Sequence, residues 1–352
     1  MFSLPKTTDA AILVAQKKPL DIKQVKLPQS LDIGQVLVEL YFSGICGSQL
    51  GEIEGIKGED KWIPHLLGHE GSGKVLAIGP GVTRFERGNK VVAHWRVSEG
   101  IESPTPKYSL GGNPINAGWV TTFNRYAVIS ENRLTKVPDF VDMKTAALFG
   151  CAITTGFGTI ENLANLKLGD TVVVFGSGGI GLNLIQAASL AGGGEIIAVD
   201  KYDNRLMLAK KLGATKTINS TKESSWEILS RYTAENSIDI FIDNTGNTEI
   251  ISKGYSLIKS TGKVLLVGVP KYDQHCSFNT LPLHFGKSIR GTHGGESQPH
   301  IDIPRYINLA KVRNINFSNI ITNIGSLEQI NVLIEEMRSG DSAGRCLVDL
   351  RK

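Results

Sequence analysis

The apolar positions along the chain change their rhythm near residue 151. Before it they fall in short β-branched runs, at 35–45 (QVLVELYFSGI), 72–78 (SGKVLAI), 89–95 (NKVVAHW) and 126–137 (YAVISENRLTKV), separated by turn signals such as GPGV and ERGNK. Strands at this spacing, without long amphipathic helices between them, predict a small antiparallel barrel or sandwich over the first ~150 residues. After residue 151 apolar runs alternate with helical patterns: TVVVF before IGLNLIQAASLA, EIIAVD before NRLMLAKKLGA, IDIFIDNTG before EIISKGYSLIK, then KVLLVGV. Strand and amphipathic helix in repeated alternation require parallel pairing with right-handed crossovers, which predicts an α/β doubly wound sheet. The last ~60 residues mix helix and strand and are expected to pack back on the first domain.

Composition adds bounds to this picture. At 352 residues the chain exceeds the size at which a single core stops growing, so two domains are expected. The 39 glycines fall between apolar runs rather than in one tract, as many strands and tight turns require. The formal charge of +4 comes from dispersed lysines and arginines, so no concentrated basic face is expected, and no nucleic-acid partner. The N-terminus has no long apolar core behind a basic start, and no stretch reaches the ~18 apolar residues of a membrane span, so a cytoplasmic location is expected. Cys46, Cys151, Cys276 and Cys346 are too few and too scattered for a disulfide framework; reduced thiols or metal ligands fit better.

The stretch GSGGIGLN (176–183) carries a G-x-G-x-x-G in Gly176, Gly178 and Gly181. It follows an apolar run from Thr171 to Phe175 and opens a helical pattern, and Asp200 ends the next apolar run. In that setting Gly176 permits a tight turn, Gly178 lets backbone amides approach a pyrophosphate, and Gly181 lets helix and strand pack closely. Asp200 would accept hydrogen bonds from a ribose and repel a 2′-phosphate, favouring NAD over NADP, a preference that Lys201 and Arg205 soften. Such turns also occur in doubly wound domains that hold other ligands, and Asp200 alone also fits a surface turn.

Upstream, SGICGSQL and IPHLLGHEGSGKV supply Cys46, His69 and Glu70, and LFGCAITTGFG supplies Cys151. A thiolate, an imidazole, a carboxylate and a second thiolate are zinc-type ligands. Each also has a plain alternative, as a buried small side chain, a satisfied core imidazole or a surface charge, and spacing leaves both readings open.

Taken together, G-I-C-G-S (44–48), G-H-E-G-x-G-x-V (68–75), the Cys151 segment, G-S-G-G-I-G (176–181) and Asp200 resemble the medium-chain, zinc-dependent alcohol and polyol dehydrogenases. The resemblance implies a GroES-like β-barrel catalytic domain over 1–150, completed by 291–352, and a Rossmann NAD-binding domain over 151–290, with the active site in the cleft between them. It assigns one catalytic zinc to Cys46, His69 and Cys151, with Glu70 beside it able to join during ligand exchange, and it gives Ser48 the passage of the substrate hydroxyl proton. Gly176, Gly178, Gly179, Ile180, Gly181 and Asp200 fall on cofactor positions. So do Thr155, Val267 and Val269 at the nicotinamide, Arg205 at the ribose and Arg345 at the pyrophosphate. Trp95 and Phe123 match pocket-lining positions, with Trp119 near them. A homo-oligomer, dimer or tetramer, is expected on the same ground.

The sequence also departs from that family. Residues 94–119 contain no cysteine where many relatives carry four for a structural zinc, so none is expected and the lobe must be held by other contacts. Gly51 stands where many relatives end the proton relay on a histidine. Arg96, Glu99, Glu102 and Lys107 in the 94–119 segment suggest a polar loop over the substrate mouth, hence a secondary alcohol, polyol or sugar derivative as substrate. The alternatives are a zinc-free, NADPH-dependent quinone or enone reductase of the same superfamily, and a non-catalytic cofactor-binding member.

Overall fold

The computed structural model describes residues 5–234 and 238–352. The chain forms two compact units, Met1–Cys151 with Gln298–Lys352, and Ala152–Ser297.

In the first unit, Gln35–Gly44 pairs antiparallel with Glu70–Ile78 on one side and Tyr126–Ser130 on the other. Glu70–Ile78 pairs with Lys90–His94, which pairs with Leu134–Lys136. Because Tyr126–Ser130 runs into Leu134–Lys136, the sheet closes on itself as a barrel. Alternate residues of these strands point inward, so Val36, Val38, Leu40, Val75, Val91, Ala93, Ala127 and Ile129 fill one core. The C-terminal strand Arg345–Asp349 extends the sheet, antiparallel to the end of Gln35–Gly44 and parallel to Ile321–Ser326.

The expected single strand over 126–137 is broken by a 3-10 turn, Glu131–Arg133. Glu131 is buried there, and its carboxylate accepts the amides of Thr83, Arg84 and Ile101 at 3.0, 3.1 and 2.8 Å. Satisfying three loop donors from one corner lets the chain leave one strand partner and take another. The 94–119 segment is likewise more than a loop. Tyr108–Leu110 and Asn113–Ile115 form a hairpin that joins Asp21–Lys26 in a second sheet. The fully buried Tyr108 hydroxyl accepts the Val128 amide at 2.8 Å, and Arg133 pairs with Glu102 at 3.0 Å.

The second unit is α/β. Among its described residues a parallel sheet runs in the order Lys216–Asn219, Glu195–Asp200, Thr171–Phe175, Ile238–Asp243, Lys263–Leu266, Ser288–Gly291. The β-branched strand Thr171–Phe175 is buried along its whole length, as a central parallel strand covered on both faces must be. Connections run one way from it and then the other, so the carboxyl ends of its neighbours flank a switch point. Among the described residues no helix is long and apolar enough to cross a membrane.

His94 ends its barrel strand inside the protein. Its Nδ1 lies 2.9 Å from the Arg96 carbonyl and its Nε2 3.0 Å from Thr135 Oγ1. A neutral ring serves both contacts, donating at one nitrogen and accepting at the other, and burial pulls its pKa from 6.5 down to about 4. Between those values the unfolded chain binds the extra proton, so stability is complete above pH 6.5 and falls as the pH drops toward 4. The loss from this group is about 3 kcal/mol. Urea unfolding of His94→Asn should therefore show a flatter pH dependence over that range than the wild type; an unchanged slope would remove His94 as the cause.

Candidate functional site

The first cluster is built on the helix Gly47–Glu54. Cys46 caps its start, with Gln49 three residues on reaching back, and Gly55 ends it in the left-handed region at φ 69°. Cys46, His69 and Cys151 come together, with one ligand atom from each lying within 4.8 Å of the others. Cys46 and Cys151 are buried and form no disulfide. The hydrogen bond from Cys151 holds Cys46 well below the usual thiol range, burial opposes this, and the charges of Arg345 and His69 assist. The same contact and burial push Cys151 well up. One proton shared between two thiols is what a divalent cation displaces when it binds.

His69 is held from behind. Gln49 Oε1 accepts the Cys46 amide at 2.8 Å, and Gln49 Nε2 lies 2.5 Å from His69 Nδ1. His69 Nε2 is buried with no protein partner. Two thiols and an orphaned imidazole nitrogen in one small volume fit a zinc ion, with three protein ligands and a position left for another. Gln49 is a functional residue that motif reading passed over; its signal is the C-x-x-Q spacing of a capping box.

Glu70 and Arg345 pair with each other beside the cluster. The Glu70 carboxylate does not join the ligand set; it is fully buried and accepts from Arg345 Nη2 at 2.5 Å. Gly44 makes room for it, since a Cβ there would lie 2.1 Å from Glu70 Oε1. Arg345 is 2 % exposed and pairs through Nη2 with Glu70. Desolvation works against its charge, and the charges of Glu70, Cys46 and Cys151 more than compensate.

The three aromatic residues separate. The Trp95 ring lies 6.3 Å from that of His69, and Arg96 lies 5.9 Å over it. Phe123, expected to line a pocket, is fully buried in the barrel core, its ring against Gly68. Trp119 turns its indole N–H to the Ser103 carbonyl at 3.0 Å, under Arg133 at 5.3 Å. Ser48 Oγ is buried without a partner.

The second cluster lies in the other unit, at the carboxyl ends of its strands. Gly176 adopts φ 95°, a conformation that favours glycine. A Cβ on Gly181 would lie 2.0 Å from the Gly176 carbonyl oxygen. A Cβ on Gly178 would meet nothing nearer than Arg205 Nη1 at 4.0 Å, so the turn is open there. The helix Gly179–Leu190 starts without a side-chain cap, which leaves the amides of its first turn, with Gly179 and Ile180, for an anion. An open cradle at uncapped amides fits a pyrophosphate.

Asp200 is buried at the end of its strand, accepting the Ser177 amide at 2.7 Å and the Tyr202 amide at 3.1 Å. Arg205 stands 3.8 Å from it and 4.7 Å over the Tyr202 ring. Asn244 donates to the Gly176 carbonyl at 3.1 Å, and the Asp243 carbonyl accepts the amides of Val267 and Gly268. Val269 is exposed just beyond. Thr155 is buried in the helix Ala152–Gly158, with its carbonyl taking the Thr159 hydroxyl at 2.7 Å. Asn244 was not anticipated, although D-N-T-G after an apolar run is a strand-end turn signal.

Known proteins share these domains and this fold. Residues 32–139 match the alcohol dehydrogenase GroES-like domain and residues 179–311 the zinc-binding dehydrogenase domain. An S-(hydroxymethyl)glutathione dehydrogenase of Paracoccus denitrificans is 30% identical over 95% of this chain and 98% of its own. Among solved structures, an alcohol dehydrogenase zinc-binding domain protein from Burkholderia ambifaria superposes with a TM-score of 0.88 at 27% identity, covering 98% of this chain and 99% of that one. Benzyl alcohol dehydrogenase from Acinetobacter calcoaceticus does so at 0.87 and 26%, covering 98% and 100%. The chain belongs to the medium-chain, zinc-dependent alcohol dehydrogenase family, and it is an alcohol oxidoreductase.

Gln49→Leu removes the contacts that the Gln49 side chain makes to Cys46 and His69. Competition against a chromophoric chelator should show zinc affinity reduced by about 10–100-fold. Unchanged affinity would mean that His69 is oriented by something else.

Proposed function

We propose that the chain is a zinc-dependent, NAD-linked dehydrogenase that interconverts a secondary alcohol, polyol or sugar derivative with the corresponding ketone. The observation that carries this is the convergence of Cys46, His69 and Cys151 with His69 Nε2 left unpartnered. A zinc ion on these residues supplies Lewis-acid polarisation of the substrate oxygen, and the nicotinamide supplies or takes up hydride.

The chain's own residues do the rest. The hydrogen bond from Cys151, with the charge of Arg345 assisting, lowers the Cys46 pKa and favours its thiolate. Gln49 lies against the imidazole Nδ1, and when Nε2 holds the metal its carboxamide must turn so that Oε1 accepts the Nδ1 proton. Glu70 and Arg345 form a neutral buried pair behind the thiols, so the site gains no uncompensated charge. Ser48, with a buried hydroxyl free to accept and donate, takes the proton that the alcohol releases. Gly178 and the uncapped amides at Gly179 and Ile180 receive the pyrophosphate, and Asp200 receives the ribose hydroxyls and disfavours a 2′-phosphate. Trp95 with Arg96 forms a flat, cationic wall beside His69, suited to a polar substrate.

Metal analysis and turnover test this together. Protein purified without chelators should carry one catalytic zinc per chain, and Cys46→Ser should lose that zinc and about a thousandfold of the activity, the several kcal/mol of Lewis-acid stabilisation. NADH should serve better than NADPH, and Asp200→Gly should narrow the difference. Zinc-free protein with full NADPH-dependent enone reduction would overturn the reading.

A further inference from the structure

The helix Gly47–Glu54 carries a second group without a role so far. Glu52 lies four residues after Ser48, so the two side chains stand one turn apart on the same face, with about 5–6 Å between their Cβ atoms. Ser48 Oγ is buried and makes no hydrogen bond. The Glu52 carboxylate is half-buried and makes no hydrogen bond or ion pair to another described residue. On its other side Glu52 lines a surface pocket of about 370 Å³ with Gln16, Gly51 and Trp62, open to solvent. Gly51, between Ser48 and Glu52, has no side chain to carry a proton.

We infer that Glu52 is the proton acceptor at the solvent end of this route: it takes from Ser48, directly or through one water, the proton lost by the alcohol, and releases it into the pocket. This rests on the reading of the chain as an alcohol dehydrogenase. In the oxidation the substrate C–H bond breaks and its electron pair and hydrogen pass as hydride to NAD. The substrate O–H bond breaks as well, its proton going to Ser48 Oγ while the proton of Ser48 goes to the Glu52 carboxylate. Reduction of the ketone runs the same transfers backward. Glu52 becomes neutral for part of each cycle, and a half-buried, unpartnered carboxylate is a group for which that is inexpensive.

The surroundings agree. Burial raises Glu52 above the ordinary glutamate value. The positive charge of Lys57 opposes the rise only in part. Across the pocket stand Glu59, Asp60 and Lys61, of which Asp60 is taken by His65 at 2.8 Å. Glu54, on the same helix, is taken by Arg338. Glu59 is exposed and lies outside this helix. On the helix that carries Ser48, Glu52 is therefore the carboxylate left to accept. The accepting form exists above the raised pKa, so alcohol oxidation loses rate as the pH falls through that value.

The test compares wild type with Glu52→Gln and Glu52→Asp, each with its zinc content measured. Glu52→Gln should keep its zinc and its KM for NAD. Its kcat for alcohol oxidation should fall by about a hundredfold, the size of one general acid–base contribution. Added imidazole should restore the rate in proportion to its concentration, and Glu52→Asp should lie between the two. Independently of turnover, the carboxyl 13C signal that disappears in Glu52→Gln should titrate above the ordinary glutamate value. An active wild type with an unchanged, imidazole-insensitive Glu52→Gln rate overturns this inference alone, as does a Glu52 signal at the ordinary value. A wild type without zinc or alcohol oxidation overturns the dehydrogenase reading as well.

Discussion

The buried ion pair between Arg345 and Glu70 is the contact on which the first unit and its metal cluster both depend. It joins residues 275 positions apart and lies entirely out of solvent. Arg345 begins the strand that pairs with the end of Gln35–Gly44, next to Cys46, and Glu70 follows His69 directly. The pair thus fixes two ligand-bearing segments from one side and supplies a guanidinium that steadies the Cys46 thiolate. Removing either partner strands a buried charge, at a cost of about 3–5 kcal/mol. The space it needs comes from Gly44 and Gly150, where a Cβ would collide with Glu70.

The nucleotide turn rests on a different principle. Its geometry is backbone geometry: a left-handed glycine, a glycine packed against a carbonyl, and a glycine facing open space. The side chains around it brace the turn rather than fill it. Asp200 holds the Ser177 amide and Asn244 holds the Gly176 carbonyl, so the amides that remain for a ligand are those of the helix start. Metal cluster and turn are therefore prepared in opposite ways, one by concentrating charge, the other by withholding side chains.

How far this was legible in the sequence follows from the range of each interaction. The strand Gln35–Gly44 and the parallel strands showed in their local apolar runs, and the glycine turn in eight consecutive residues. The break at Glu131–Arg133 did not, because the amides that Glu131 satisfies come from Thr83, Arg84 and Ile101, remote in sequence. The hairpin inside 94–119 was hidden by short strands rich in turn residues. Arg345 pairs with Glu70, a partner 275 positions away that no local pattern reveals. Phe123 shows that an aromatic residue near a site says nothing about which way it faces until the barrel is closed. Gln49 and Glu52 were overlooked because a lone amide and a lone carboxylate on a short helix are ordinary; their meaning comes from His69 on one side and Ser48 on the other.

The central claim is that Cys46, His69 and Cys151 hold one zinc ion. X-ray absorption at the zinc edge of the purified protein reads the ligands directly. The account predicts a four-coordinate ion with two sulfurs at about 2.3 Å, one imidazole nitrogen at about 2.0–2.1 Å and one further light atom. A shell of nitrogen and oxygen without sulfur, or protein that takes up no zinc, would contradict it.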